Sequence, residues 1–152
     1  MIIRRGTTDE IIDLRHEILR TGLPRELAYF EGDDEPTTLH VVAARDGAIE
    51  GDIGGKIVGC ATILQRPWED KPAWQLRGMA VAKSMRGTGI GSKLLREIEM
   101  LAAAQRFSNQ LWANARVPAL EFYRAHGWQV VSDEFQIEHA GPHVKITKTL
   151  SD

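Results

Sequence analysis

The feature that most constrains the fold is a glycine-rich turn between a strand-like segment and a long amphipathic helix. Residues 79–92 read M-A-V-A-K-S-M-R-G-T-G-I-G-S. Apolar residues then recur at helical spacing, at Ile90, Leu94, Leu95, Ile98, Leu101 and Ala102. Such a turn leaves successive backbone N–H groups free at the positive end of the helix dipole. The segment therefore predicts a binding site for a phosphate or pyrophosphate.

The glycine spacing argues against two common nucleotide-binding motifs. A dinucleotide fingerprint has G-x-G-x-x-G directly after a strand and an acidic residue about 20 positions later, whereas this turn has G-x-G-x-G and the next predicted strand carries Asn114. A Walker loop needs Lys and then Ser or Thr after its last glycine, but here Ser92 precedes Lys93. Arg86 can add charge-assisted hydrogen bonds to an anion. Taken alone, the loop could also be a purely structural turn.

The rest of the chain predicts one α/β domain over residues 1–152, with helices on the faces of a mixed sheet. A first helix follows Thr7, which forms a capping-box pattern with Glu10, and a short helix is expected at 118–125. A Gly- and Asp-rich stretch at 46–55 is expected to extend a hairpin. Strands are predicted at 2–3, 40–44, 56–64, 74–81, 110–115, 128–135 and 144–150.

Composition and charge exclude several functional classes. The 19 Lys+Arg and 21 Asp+Glu residues give a net charge of −2, so the whole chain does not predict nucleic-acid binding. No run approaches the roughly 18 apolar residues of a membrane helix, and the N-terminal charges do not fit a signal peptide. We therefore expect a cytoplasmic protein with no membrane partner. Cys60 lies in an apolar run and is expected to be an inert buried thiol. His139 and His143 lack further ligands nearby, so no metal site is predicted.

Two segments together resemble the GCN5-related N-acetyltransferases. Arg86–Gly91 fits the [Arg/Gln]-x-x-Gly-x-[Gly/Ala] signature of that family, and Leu76–Val81 is similar to the strand that leads into it. Leu120–Trp128 is similar to the family's Phe-Tyr helix, which ends in glycine and an aromatic residue. The resemblance covers about residues 56–131. It implies an acyl-CoA N-acyltransferase fold, in which a central, mostly antiparallel mixed sheet is flanked by helices.

By this resemblance, the chain is an acetyl-CoA-dependent N-acetyltransferase in which a primary amine attacks the thioester within a ternary complex. Tyr123 matches the residue that protonates the leaving thiolate, a role that suits a phenol because it stays protonated at pH 7. The turn is implied to hold the pyrophosphate, the strand before it to pair with the pantetheine arm, and the next strand to contact that arm. The implied acetyl-CoA-binding residues are Met79, Ala80, Val81, Arg86, Gly87, Thr88, Gly89, Ile90, Gly91, Ser92 and Asn114.

The acceptor side is less defined by the sequence. Short similarities to one acetyltransferase subgroup imply that four residues border the acceptor site: Glu31, Asp33, His40 and His143. These four and Glu134 are also the candidates for the general base, because the strand before the turn carries no glutamate. The acceptor is expected to be a small-molecule or peptide amine, and the sequence does not choose among amino acids, polyamines, aminoglycosides, peptide N-termini and lysine side chains. The oligomeric state also stays open, although homodimers are common in the family. A non-catalytic acyl-CoA-binding module and a nucleotide-binding α/β protein are the alternatives to an enzyme.

Overall fold

Eight strands and three α-helices form within residues 1–45 and 56–151, the ranges that this computed structural model describes. The predicted hairpin extension at 46–55 lies outside the described residues. The strands are β1 (Ile2–Gly6), β2 (Leu39–Ala44), β3 (Ile57–Gln65), β4 (Trp74–Val81), β5 (Gln110–Arg116), β6 (Gln129–Val130), β7 (Phe135–Ile137) and β8 (Gly141–Thr149). The helices are α1 (Thr8–Leu19), α2 (Ile90–Gln105) and α3 (Leu120–Ala125).

The strands join in one mixed sheet in the order β1-β2-β3-β4-β5-β8-β6, and β7 pairs with β8. Neighbouring strands are antiparallel except for β4 and β5, which α2 connects in parallel. Because side chains alternate along a strand, β2 contributes to two cores. Val41 and Ala43 lie in the core that contains α2, whereas Val42 lies in the core that contains α1. The predicted arrangement of a mixed sheet between helices is therefore confirmed.

The two long helices begin and pack as their sequences predict. The Thr7 side chain accepts a hydrogen bond from the Glu10 amide, and the Glu10 carboxylate accepts one from the Thr7 amide, which completes a capping box. Helix α2 buries Ile90, Leu94, Leu95, Ile98 and Ala102 against the sheet. None of the helices among the described residues is long and apolar enough to span a membrane.

The predicted single strand at 128–135 is wrong. The chain forms the short β6 and β7 instead, and β8 starts at Gly141, three residues before its predicted start. The Ser132 hydroxyl accepts a hydrogen bond from the Lys145 amide at 2.7 Å, so a side chain replaces the backbone partner that a continuous strand would supply. This competition between side chain and backbone interrupts the ladder.

Candidate active site

A cleft opens where β4 and β5 diverge. The two strands pair only from Trp74 opposite Leu111 to Leu76 opposite Ala113, while β4 continues to pair with β3 as far as Val81. From Arg77 onward, the edge of β4 that faces β5 is thus unpaired within the described parts of the chain. An extended ligand arm can add to such an edge as another strand would.

A β-bulge bends β4 at the mouth of this cleft. Thr62 pairs with Arg77 and Cys60 with Ala80, so Gly78 and Met79 together lie opposite a single residue of β3. Gly78 has a φ of +66°, and a Cβ there would lie 2.9 Å from the Arg15 Nε. Both the backbone conformation and the space therefore require glycine.

The glycine turn before α2 presents a row of free backbone donors. Gly89, in the left-handed conformation with a φ of 86°, precedes the first helical residue. Among the described residues, no acceptor bonds to the amides of Gly87–Ser92, and a Cβ at Gly87 or Gly89 would meet nothing within 4 Å. All of these residues except Thr88 border a groove of about 680 Å³. Free N–H groups at the start of a 16-residue helix are the donor set that a pyrophosphate requires.

The start of α2 is packed against α3. A Cβ at Gly91 would lie 3.2 Å from the Phe122 ring, so glycine allows this close approach. The His126 ring bonds to the Phe122 carbonyl at 2.8 Å and to the Ser92 hydroxyl at 2.9 Å. The turn and the downstream helix, recognised separately in the sequence, thus form one structural unit at the groove.

A second pocket, of about 280 Å³, adjoins the groove. Four residues border both spaces: Met79, Arg116, Ala119 and Phe122. The second pocket is also lined by the end of α1, by Phe30 and by the segment from β7 to β8, and its charged groups come from Arg20, Arg77 and Arg116. No Asp or Glu among the described residues lines it.

Two of these arginines lie side by side. Arg20 and Arg116 both donate to the Leu19 carbonyl oxygen, at 2.9 and 3.1 Å. Burial lowers the pKa of both, and the positive charges of Arg116 and Arg15 lower that of Arg20 further. Neither side chain pairs with a carboxylate in the described parts of the chain.

A buried ion pair supports the pocket from behind. Arg15 and Asp33, with side chains 0% and 3% exposed, join at 2.7 Å, and Arg15 also donates to the Ala28 carbonyl and the Thr62 hydroxyl. Arg77 lies 3.5 Å from the same Asp33 carboxylate. The Asp33 charge is therefore already shared by two guanidinium groups.

His143 and Tyr123 supply the groups that can exchange protons in this pocket. The His143 Nδ1–H donates to the Gly141 carbonyl at 2.8 Å, which leaves a lone pair on Nε2. Burial, together with the charges of Arg116 and Arg20, lowers the pKa of His143 despite the opposing hydrogen bond to Gly141, and this favours the neutral ring. Burial raises the pKa of Tyr123, so its hydroxyl keeps its proton.

The predicted acceptor-side residues lie in different places. Of the four, His143 alone lines the pocket. Glu31 is exposed and pairs with Arg66, and Asp33 belongs to the buried ion pair. The His40 ring is held by the Thr62 hydroxyl at 2.7 Å and the Asp33 carbonyl at 2.9 Å. Glu134, the other candidate base, is exposed between β6 and β7.

The predicted acetyl-CoA-binding residues gather around the groove with few exceptions. Those that line it are Met79, Val81, Arg86, Gly87, Gly89, Ile90, Gly91 and Ser92. Ala80 is buried, and the Thr88 hydroxyl donates to the Met85 carbonyl. Asn114 instead lines the smaller pocket, where its side-chain oxygen accepts a hydrogen bond from Lys145 at 3.0 Å.

Cys60 offers no nucleophile to either space. It is fully buried, and burial raises its pKa to about 12. The described residues hold no group of three or more His, Cys, Asp or Glu side chains placed to bind a metal ion.

Sequence reasoning missed the cationic side of the smaller pocket. Arg20 follows α1, Arg77 lies on β4 and Arg116 ends β5. The guanidinium groups of Arg20 and Arg77 lie 4.8 and 5.6 Å from the centre of the Phe30 ring. No spacing rule connects these positions, because only the folded sheet brings them together. The one signal in the sequence was that Arg20 and Arg116 each lie next to the end of a predicted element, and it did not indicate that the two residues meet.

Comparison with known proteins points to one family. The family model described as "Acetyltransferase (GNAT) family" matches residues 8–128. The Bacillus subtilis (strain 168) protein named "Uncharacterized N-acetyltransferase YitI" is 26% identical over 148 residues, which cover 97% of this chain and 95% of that protein. A second protein of the same strain, "Uncharacterized N-acetyltransferase YjcF", is 30% identical over 82 residues, 53% of this chain and 58% of that protein.

Solved structures share the fold at low sequence identity. An aminoglycoside 6'-N-acetyltransferase complexed with coenzyme A superposes with a TM-score of 0.75 at 17% identity, covering 100% of this chain and 98% of that one. An acyl-CoA N-acyltransferase from Pseudomonas aeruginosa superposes with a TM-score of 0.74 at 15% identity, covering 98% of this chain and 100% of that one.

Proposed function

Because this chain belongs to the acetyltransferase (GNAT) family, we propose that it transfers an acetyl group from acetyl-CoA to a primary amine by direct attack in a ternary complex. The observation that carries the proposal is the junction of two spaces. A groove edged by five residues of the turn whose amides are free opens into a pocket lined by His143, whose lowered pKa favours the neutral ring, and by the protonated Tyr123. The first suits a pyrophosphate, and the second suits an amine that must lose protons.

The backbone binds and orients acetyl-CoA in this proposal. The amides of Gly87–Ser92 donate to the pyrophosphate, and the free edge of β4 pairs with the pantetheine arm. The bulge at Gly78 and Met79 bends β4 at the point where it stops pairing with β5. A backbone N–H near Met79 is then free to donate to the thioester carbonyl and polarise it. Holding both substrates at the cleft replaces a bimolecular encounter with an intramolecular one.

His143 and Tyr123 move the protons. The Nε2 lone pair of His143 takes one proton from the ammonium group, directly or through a water molecule. The neutral nitrogen then attacks the thioester carbon, so an N–C bond forms and the C–S bond breaks. The departing sulfur takes the Tyr123 hydroxyl proton, and the proton that the nitrogen loses after attack restores the phenol. The products are the amide and free CoA.

A variant pair tests this assignment. Acetyl-CoA should raise the melting temperature, as a ligand of the folded state must, and an accepted amine should release free CoA. Tyr123→Phe should lower kcat about 100-fold or more and leave the KM for acetyl-CoA unchanged. Tyr29→Phe is the matched control, because Tyr29 is exposed and borders neither space.

Three outcomes separate the alternatives. Stabilisation by acetyl-CoA without CoA release across a broad amine panel would indicate a binding module that has no turnover. No stabilisation by acetyl-CoA or CoA would remove the cofactor assignment. Full activity in Tyr123→Phe would remove the acid role but leave acetyl transfer standing.

A further inference from the structure

The pocket beside the cleft carries positive charge that the protein does not balance. Arg20, Arg77 and Arg116 line it, and no described acidic side chain does. Arg77 shares the Asp33 carboxylate with Arg15, whereas Arg20 and Arg116 have only carbonyl acceptors among the described residues. Two guanidinium groups therefore lie half-buried, close together and without a counter-charge.

Burying like charges together is costly unless an anion joins them. The shared Leu19 carbonyl accepts one hydrogen bond from each guanidinium, so further N–H donors of both groups remain for a ligand. Arginine donors match the oxygens of a carboxylate or a phosphate in a forked geometry. The Phe30 ring, which also contacts Arg15, holds the Arg20 guanidinium from one side.

We propose that the acceptor is a small primary amine that also carries an anionic group, a carboxylate or a phosphate, and that Arg20 and Arg116 bind this group. This inference rests on the proposed function and specifies its acceptor. A pocket of about 280 Å³ suits a molecule of about amino-acid size. Polyamines and aminoglycosides carry several positive charges, and the guanidinium groups repel them.

The phosphate groups of acetyl-CoA do not explain the unbalanced charge of Arg20. Arg116 borders both the groove and the pocket, so a coenzyme phosphate could reach it. Arg20 borders the pocket and not the groove. Substitution of Arg20 is therefore the change that distinguishes an effect on acceptor binding from an effect on coenzyme binding.

Matched acceptor pairs test the proposal on the unmodified protein. Amino acids are compared with their amides, and O-phosphoethanolamine with ethanolamine, by CoA release at saturating acetyl-CoA. The member of at least one pair that carries the anionic group should have a kcat/KM about tenfold or more above the cationic partner that lacks it. In the amino acid pairs, amidation lowers the pKa of the amine, so the amide has the larger fraction of unprotonated, nucleophilic amine. A preference for the amino acid would therefore oppose this chemical advantage. The preferred pair decides between carboxylate and phosphate.

Substitution of Arg20 gives a second, independent readout. Arg20→Gln should raise the KM for the anionic amine about 10- to 100-fold and leave the KM for acetyl-CoA unchanged. The partner that lacks the anionic group is a cation, so its KM should not rise. Arg20→Lys should restore part of the loss. Arg96→Gln is the matched control, since it removes the same charge from an exposed position on α2.

Three results would overturn the proposal. Equal kcat/KM within every pair, or a preference for spermidine or an aminoglycoside, would show that the charge does not select the acceptor, while acetyl transfer would stand. Equal effects of Arg20→Gln on both members of a pair would assign Arg20 a structural role. An absence of turnover with every amine would remove the proposed catalysis and this inference with it.

Discussion

The buried ion pair behind the pocket gives the sharpest stability prediction. Asp33→Asn keeps the shape of the side chain but removes the charge that faces Arg15, whose side chain is 0% exposed. Breaking a buried pair in this way costs about 3 to 5 kcal/mol, because the remaining charge has lost both water and its partner. Asparagine can still accept one hydrogen bond from Arg15, so we expect a loss of about 3 kcal/mol, at the low end of that range.

The melting temperature gives a direct assay. In a domain of about 150 residues, each kcal/mol moves the melting temperature by about 2 to 4 °C, so Asp33→Asn should lower it by about 6 to 12 °C. Glu31→Gln is the matched control. Glu31 also pairs with an arginine, but its side chain is 78% exposed, so its loss should cost less than about 0.5 kcal/mol.

Equal shifts in the two variants would refute the reasoning, since burial is the difference between them. The prediction also has a functional side. Arg15 packs against Gly78 in the bulge of β4, so the folded fraction of Asp33→Asn should show a lower kcat than the Glu31→Gln variant at the same temperature.

Two further predictions concern the glycine turn and proton linkage. Gly89→Ala and Gly22→Ala both place a side chain at positive φ, 86° and 78°, with open space around it. Each substitution should lower the free energy of unfolding by about 1 to 2 kcal/mol. Only Gly89→Ala should weaken acetyl-CoA binding in calorimetry, because its methyl group enters the groove. Equal acetyl-CoA affinities of the two variants would contradict the proposed binding site. Burial lowers the pKa of His40 and His143 below 6.5, so below that pH the unfolded chain binds more protons and the free energy of unfolding falls as pH decreases. Urea unfolding at about pH 7 and 5.5 should show this loss, and His143→Gln should reduce it; an unchanged pH dependence in the variant would be contrary evidence.

The arginines of the smaller pocket bear on the acceptor that we propose for this chain. One solved structure with the same fold is an aminoglycoside 6'-N-acetyltransferase, an enzyme whose name specifies a polycationic acceptor. The described pocket of this chain instead presents arginines. At 17% identity the likeness shows the shared fold alone, and a shared fold does not specify the acceptor.

The groove in front of the glycine turn could be predicted from the sequence because the residues that form it are local. The turn, the start of α2 and the amphipathic face are consecutive or follow a fixed helical period, so Gly87, Gly89 and the buried face of α2 were identifiable before the fold was known. Hydrogen bonds that side chains make with the backbone are less visible in a pattern, and the Ser132 contact that breaks the predicted strand is an example.

The acceptor side was decided by tertiary structure. Asp33 and His40 carry chemistry that suits a site, yet packing buries Asp33 against Arg15 and encloses His40 between Thr62 and the Asp33 carbonyl. Arg20 and Arg116 lie almost one hundred positions apart, and they meet only because β5 runs beside the end of α1 in the folded chain. Local sequence thus determined the helix, its glycine turn and the anion they can bind, since steric rules act between neighbouring residues. Only long-range packing decided which charged side chains line the smaller pocket, since it alone sets which distant side chains lose water together.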